Sequence, residues 1–118
     1  MATYSRLLLS GSTNGRPVPV VAIATPGTLI HTAVSGVASF DEVYVWASNV
    51  TGIAATLTLE WGGVIDPGDH VVKAVSLPAN SPPIPIVTGQ VLNNGLVMRA
   101  FSGTASAINL TGYVNRIA

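Results

Sequence analysis

The chain has 118 residues, which is enough for one hydrophobic core and too few for two ordinary domains. Charged residues make up 8% of it, against roughly 25% in an average soluble domain. Five basic side chains balance five acidic ones, so the chain has no excess of positive charge to attract nucleic acid or an anionic membrane surface. The lack of cysteine excludes disulfides, thiolate catalysis and Cys-ligated zinc.

Period-two alternation of apolar residues predicts an all-β chain with nine short strands. The predicted strands are residues 4–9, 17–24, 28–34, 42–49, 56–61, 71–77, 84–88, 96–102 and 107–116. Turn residues such as Asn14-Gly15 and Asn93-Asn94-Gly95 separate them. This spacing favours one antiparallel β-sandwich over residues 1–118, jelly-roll or immunoglobulin-like, in which the last two strands form a C-terminal hairpin.

The strand predicted at residues 42–49 is apolar on both faces. Val43, Val45 and Ala47 alternate with Tyr44 and Trp46, so we expect one face to meet the core and the other a neighbouring protein. Residues 56–61 alternate differently, with leucines and Trp61 on one side and two threonines and Glu60 on the other. That pattern predicts a half-buried strand with its polar side in solvent.

Residues 78–85 contain four prolines, which cannot donate hydrogen bonds to a sheet. We therefore expect an extended loop or a protected edge there.

The first nine residues hold only Leu7 to Leu9 as an apolar run, too short for a signal peptide, and no stretch approaches the ~20 apolar residues of a membrane helix. Synthesis in a cytoplasm without export is the expectation.

Few residues have the chemistry of a catalytic or metal site. His31 lies in a predicted strand with no acidic residue nearby in sequence, which favours a structural or interface histidine. Asp66, Asp69 and His70 are close enough to suggest metal ligands, but Asp-Pro-Gly-Asp is more simply a turn and lacks the length of a calcium loop. No nucleophile elbow or phosphate loop is present, so the sequence predicts no catalytic, cofactor or metal site and no enzyme.

Aromatic and arginine side chains are the best candidates for contacts with other proteins, because both are enriched at interfaces. A sugar-stacking platform of Tyr44, Trp46, Trp61 and Tyr113 is the alternative use of the aromatics. The predicted interface residues are Tyr4, Arg6, Arg16, Tyr44, Trp46, Arg99 and Arg116.

Four segments resemble small virion proteins of tailed bacteriophages: residues 6–17 (RLLLSGSTNGRP), 59–63 (LEWGG), 92–101 (LNNGLVMRAF) and 112–117 (GYVNRI). Within that group the chain is most similar to capsid decoration or cement proteins. The resemblance implies a subunit on the capsid surface of the virion, made in the host cytoplasm, that binds the major capsid protein and forms a homo-oligomer, with a trimer favoured. It also implies that residues 1–9 form an N-terminal arm or an exchanged strand.

Two other functions stay open from the sequence. One is a carbohydrate- or receptor-binding module of a phage fibre or cell surface, with Trp46 and Trp61 as stacking platforms. The other is a head-tail connector or tail component. Low charge and strands that are apolar on both faces suit any subunit that is stabilised by burial in a large assembly.

Overall fold

The computed structural model describes residues 3–118. These residues contain nine strands and no helix. The strands are β1 (Tyr4–Leu8), β2 (Val18–Pro19), β3 (Thr28–Thr32), β4 (Phe40–Asn49), β5 (Ala55–Trp61), β6 (His70–Leu77), β7 (Ile84–Leu92), β8 (Val97–Ser102) and β9 (Ile108–Ile117). The predicted all-β class and the nine strands are confirmed. Met1 and Ala2, the start of the predicted N-terminal arm, lie outside the described residues.

The strands make two antiparallel sheets that pack as a sandwich. The five-stranded sheet has the order β1-β9-β4-β7, with β2 also paired to β9, and the four-stranded sheet has the order β3-β8-β5-β6. If β1 and β2 are counted as one interrupted strand, the pairs are first with last, second with seventh, third with sixth and fourth with fifth. These are the pairs of one long hairpin wrapped into a sandwich, which is the jelly-roll arrangement.

The predicted C-terminal hairpin is wrong. β8 pairs with β3 and β5 in one sheet, whereas β9 pairs with β1, β2 and β4 in the other. The connection through Gly103 and Ser106 therefore crosses between sheets, and Ser106 adopts a positive φ of 59° there. Strand alternation and turn residues look the same for a hairpin and for such a crossing, so the local sequence does not distinguish them.

The core lies between the inward faces of the two sheets. Val43, Val45 and Ala47 of β4 are fully buried, as predicted, and Leu57 and Leu59 meet them from β5. The prediction for the other side of β5 is wrong, because Thr58 and Glu60 are buried as well. The physical reason is that another part of the chain covers the outer face of the four-stranded sheet.

The strand predicted at residues 17–24 is mostly a crossing segment. Only Val18–Pro19 is a strand; Val20 then bonds to Ile108 of β9, and the Ala22 carbonyl accepts from Ser102 of β8. The segment thus passes from one sheet to the other within a few residues. The proline-rich region behaves as expected, since residues 78–83 are a connection and Pro85 lies in β7, an edge strand.

The N-terminal strand lies at the opposite edge of the five-stranded sheet. β1 pairs along its length with β9, from Tyr4 opposite Ile117 to Leu8 opposite Tyr113. The chain then crosses to β3, where the Gly11 amide donates to Ile30. A Cβ on Gly11 would lie 2.6 Å from the Leu29 carbonyl oxygen, so only glycine permits this approach.

Candidate functional site

The outward side of the five-stranded sheet carries a cluster of aromatic rings, which we call the aromatic face; its central residues are Arg6, Tyr44, Trp46 and Tyr113. Cross-strand pairing places Tyr44 directly opposite Tyr113, and Leu8 opposite Tyr113 from the other side. The rings of Tyr44 and Tyr113 are stacked, with centroids 5.1 Å apart and planes at 19°. The predicted alternation of β4 therefore places these residues on a common surface.

Tyr113 is held from both flanking strands. The Arg6 guanidinium lies 4.5 Å from its ring centroid, in cation–π range, and Trp46 lies at 6.1 Å in a tilted arrangement. Since Arg6 comes from β1 and Tyr44 from β4, the two cover opposite faces of the Tyr113 ring. Neither face of the Tyr113 ring is therefore open for a sugar to stack on, which favours contact with a protein surface.

A glycine in β9 brings the two central strands close together beside this cluster. Gly112 lies against the backbone of Tyr44, where any Cβ would collide with the Tyr44 carbonyl. On the other side of Tyr44, Gly89 of β7 has a φ of 99°, and a Cβ there would be 3.3 Å from the Tyr44 hydroxyl. Both glycines make room for the Tyr44 position.

Four of the seven predicted interface residues lie on one side of one sheet, and the other three lie elsewhere. The structure brings Arg6, Tyr44 and Trp46 together on the outer side of the five-stranded sheet, and Tyr4 lies on the same side at the first residue of β1. Arg16 is exposed elsewhere, in a turn that lines a surface pocket of about 270 Å³ with Thr13 and Pro17. The role of each residue at an interface stays a prediction.

Arg99 and Arg116 both bond within the chain. The Nη1 of Arg99 donates to the Gly27 carbonyl at 3.2 Å. Arg116 donates to both carboxylate oxygens of Asp41, at 2.8 Å from Nε and 3.0 Å from the second terminal nitrogen. These contacts give both arginines an internal role that the local sequence does not predict.

Asp41 is the centre of a buried polar cluster between the two sheets. It is fully buried, and its Oδ2 lies 2.7 Å from Nε2 of His31, which is 1% exposed. The Ser10 amide donates to Nδ1 of His31 at 3.0 Å, so we assign the ring proton to Nε2, which donates to Asp41. Both ring nitrogens are thus occupied, and the cluster joins β3 of one sheet to β4 and β9 of the other.

The charge of Asp41 is stabilised by its partners. Burial by itself raises the pKa of Asp41, but hydrogen bonds and charge from Arg116, with a hydrogen bond from His31, outweigh burial and hold this pKa below its ordinary value of 3.8. The hydrogen bond and the charge of Asp41 in turn raise the pKa of Arg116. The burial of Asp41 could have been predicted from the sequence, because Asp41 stands two residues before Val43 and so shares its inward face.

A second buried carboxylate, Glu60, is bound by the 22–27 loop, which lies over the outer side of β5 and β8. Its oxygens accept from the Gly27 amide at 2.6 Å and from the Thr25 hydroxyl at 2.5 Å. A Cβ on Gly27 would lie 2.5 Å from the Ala100 carbonyl oxygen, so the loop rests directly on the β8 backbone. This loop explains why Glu60 is buried, whereas the Thr58 hydroxyl accepts from the Ala74 amide of β6.

The two tryptophans do not form one platform. Trp46 faces outward from β4 opposite Pro85 of β7, whereas Trp61 ends β5 in the other sheet and donates from Nε1 to the Val91 carbonyl at 3.2 Å. Pro85 and Val91 are six residues apart, roughly 20 Å along a strand. Trp61 instead lines an apolar pocket of about 300 Å³ with Phe40, Leu92 and Leu96.

The turn containing Asp66, Asp69 and His70 is occupied by internal contacts. Lys73 donates to Asp66 at 2.6 Å, which lowers the pKa of Asp66, and Asp69 accepts from the Ile65 amide. Nδ1 of His70 lies 3.5 Å from Asp66 without hydrogen-bond geometry, and its ring packs edge-on to Phe101. Within residues 3–118, no group of three or more histidines and carboxylates is arranged to hold a metal ion.

Residues 3–118 contain no helix long and apolar enough to cross a membrane. Comparisons of the whole chain with protein-family models, with curated proteins and with solved structures found no significant match to any of them.

Proposed function

We propose that this chain is a non-enzymatic virion structural protein of the capsid decoration type, which binds and stabilises the lattice of a major capsid protein. The observation that carries the proposal is the surface itself. Fourteen large hydrophobic side chains are exposed among the described residues, in a chain with only ten charged residues. Single exposed apolar residues are ordinary, but this density with so little charge is typical of a surface that other proteins cover.

The jelly-roll arrangement is compatible with this role without deciding it. Jelly rolls occur both in viral capsid proteins and in lectins, so the fold alone does not select a function. The aromatic face favours protein contact over sugar binding, because the faces of the Tyr113 ring are already covered by Arg6 and Tyr44. The sequence resemblance then supports the phage capsid as the setting.

Binding to a lattice needs little affinity at each contact. Many copies that engage a repeating surface gain from multivalency, provided that each copy belongs to an oligomer able to span neighbouring sites. The resemblance favours a trimer for this purpose. Arg16 is an exposed cation with no ion-pair partner among the described residues, so it is a suitable candidate for a contact with a capsid carboxylate.

The test is co-sedimentation of the purified chain with shells assembled from the major capsid protein encoded in the same genome, before and after shell expansion. We expect saturable binding, and Arg16→Ala should weaken it by about tenfold if a charged hydrogen bond is lost. Lys73→Ala is the matched control, because Lys73 is an exposed cation that already pairs with Asp66. Absence of binding to either shell would contradict the proposal, and retention of the chain on a glycan array would favour the carbohydrate-binding alternative.

A further inference from the structure

Three residues of the aromatic face form a symmetrical row across the five-stranded sheet. Asn115 of β9 is the direct cross-strand partner of Arg6 on β1 and of Glu42 on β4. Arg6 and Glu42 therefore lie one strand to either side of β9, about 5 Å from it and about 10 Å from each other. A positive and a negative group thus occupy equivalent positions around a central strand.

Neither charge is neutralised within the described part of the chain. The ion pairs there involve Asp41 and Asp66 with their partners, and neither Arg6 nor Glu42 takes part in one. Two strand spacings separate the two side chains, and Arg6 is turned onto the Tyr113 ring. The row consequently presents an unpaired cation and an unpaired anion on an otherwise aromatic surface.

We propose that the aromatic face binds a second copy of this chain around a two-fold axis that passes over Asn115, close to the direction of β9. Such an axis exchanges the two sides of β9, so Arg6 of each copy lies opposite Glu42 of the other. Asn115, which is on the axis, and Tyr113, which is beside it, meet the same residues of the second copy. This is the reciprocal pattern that a two-fold interface requires.

The expected packing of two sheets preserves this match. Facing sheets lie about 10 Å apart and cross at about 30°, so the axis passes over Asn115 and is inclined to β9 by about half that angle. At about 5 Å from the axis, a rotation of that size moves a group by only about 2.5 Å, which a flexible arginine side chain accommodates. The two ion pairs therefore form at the centre of the interface, where the aromatic rings exclude water.

The size of the face is sufficient for a specific dimer. Four strands about 5 Å apart, with central strands of ten residues, span roughly 19 Å by 33 Å, or about 600 Å² before the relief of the side chains is added. Standard interfaces bury about 800 Å² on each partner. A trimer would need two different patches on each copy, because a patch that binds itself closes after two subunits.

The test is the mass of the free protein, followed by charge reversal. We expect sedimentation equilibrium to show a dimer, and Arg6→Glu or Glu42→Arg alone to weaken dimerisation on the order of 100-fold, because each places like charges together. The double variant Arg6→Glu with Glu42→Arg restores opposite charges and should recover the dimer to within about tenfold. Lys73→Glu, on a different sheet, is the control and should have no effect.

A crosslink tests the axis by a second route. The chain has no cysteine, so Asn115→Cys introduces one thiol, which a short bismaleimide should join to the same residue of the second copy. Val75→Cys is the matched control, since Val75 is exposed on β6 of the four-stranded sheet. Circular dichroism of every variant establishes that it is folded.

The inference is overturned by a wild-type monomer or trimer, by a double variant as weak as the single reversals, or by equal crosslinking at positions 115 and 75. It concerns self-association and is separable from the capsid assignment. A dimer that ignores shells supports the inference and contradicts the proposed function, and a trimer that binds shells does the reverse.

Discussion

The outer faces of the two sheets differ in what covers them. On the four-stranded sheet, the 22–27 loop covers Glu60 and satisfies it with two hydrogen bonds, and Arg99 bonds to the same loop. On the five-stranded sheet no loop of the described chain covers Arg6 and Glu42, and the aromatic rings are partly exposed. The chain therefore supplies hydrogen bonds to Glu60 and Arg99 where it covers them itself, although the ring nitrogens of His70 in the same sheet are buried without a hydrogen-bond partner among residues 3–118. On the uncovered face, a second protein would have to supply the contacts.

The largest expected effect concerns a polar group that the chain satisfies fully. Asp41→Asn removes a fully buried charge that accepts hydrogen bonds from Arg116, His31 and the Val34 amide, and it should lower the free energy of unfolding by about 3 kcal/mol. Urea denaturation measures the change. Asp66→Asn is the matched control at an exposed pair, and it should change the midpoint far less. Equal effects of the two substitutions would contradict the central role of Asp41.

The pH dependence of stability tests the same residue. Because the pKa of Asp41 is lower in the folded chain than its ordinary value of 3.8, its contribution is fully present above about pH 4. The contribution is lost as the pH falls through the folded pKa. Wild-type chain should therefore lose stability below about pH 4 more steeply than Asp41→Asn, and parallel acid profiles in thermal unfolding would show that Asp41 is not responsible.

A smaller effect is expected where the loop covers the four-stranded sheet. Gly27→Ala introduces a Cβ against the Ala100 backbone and should destabilise the fold by about 2 kcal/mol while exposing Glu60. Gly52→Ala is the control, because no atom lies within 4 Å of the added Cβ there. Urea denaturation gives the free energy, and faster hydrogen exchange at the Gly27 neighbours identifies the opened loop. An unchanged exchange rate with Gly27→Ala would show that the loop does not depend on this contact.

The smallest effect belongs to the uncovered face. Arg6→Ala removes the cation from the Tyr113 ring and should cost about 0.5–1 kcal/mol of monomer stability, the range for exposed cation–π pairs. Denaturation at a concentration too low for association measures it. A loss as large as that of Asp41→Asn would mean that Arg6 is a structural residue, and the difference between the two faces would then disappear.

Several features could be predicted from the sequence because they depend on local pattern. Period-two alternation located nine strands and the buried side of β4, and prolines correctly marked an edge. The hydrogen-bond partners of β8 and β9 could not be predicted, since a turn and a crossing between sheets use the same residues. Among the interface candidates, the grouping of Arg6 with Tyr44 and Trp46 required β9 to pair with β1 on one side and with β4 on the other.

By itself the sequence determined the all-β class, the scarcity of charge and the apolar character of both sides of β4, because each is a property of composition or of alternation within one segment. Only the tertiary structure decided which polar residues are satisfied internally. Arg116 and Asp41 are 75 residues apart in sequence, and Glu60 is 33 residues from Gly27. Contacts over such separations depend on the order of strands in the sheets, so Arg116 and Arg99 bond within the chain while Arg6 stays on the uncovered face.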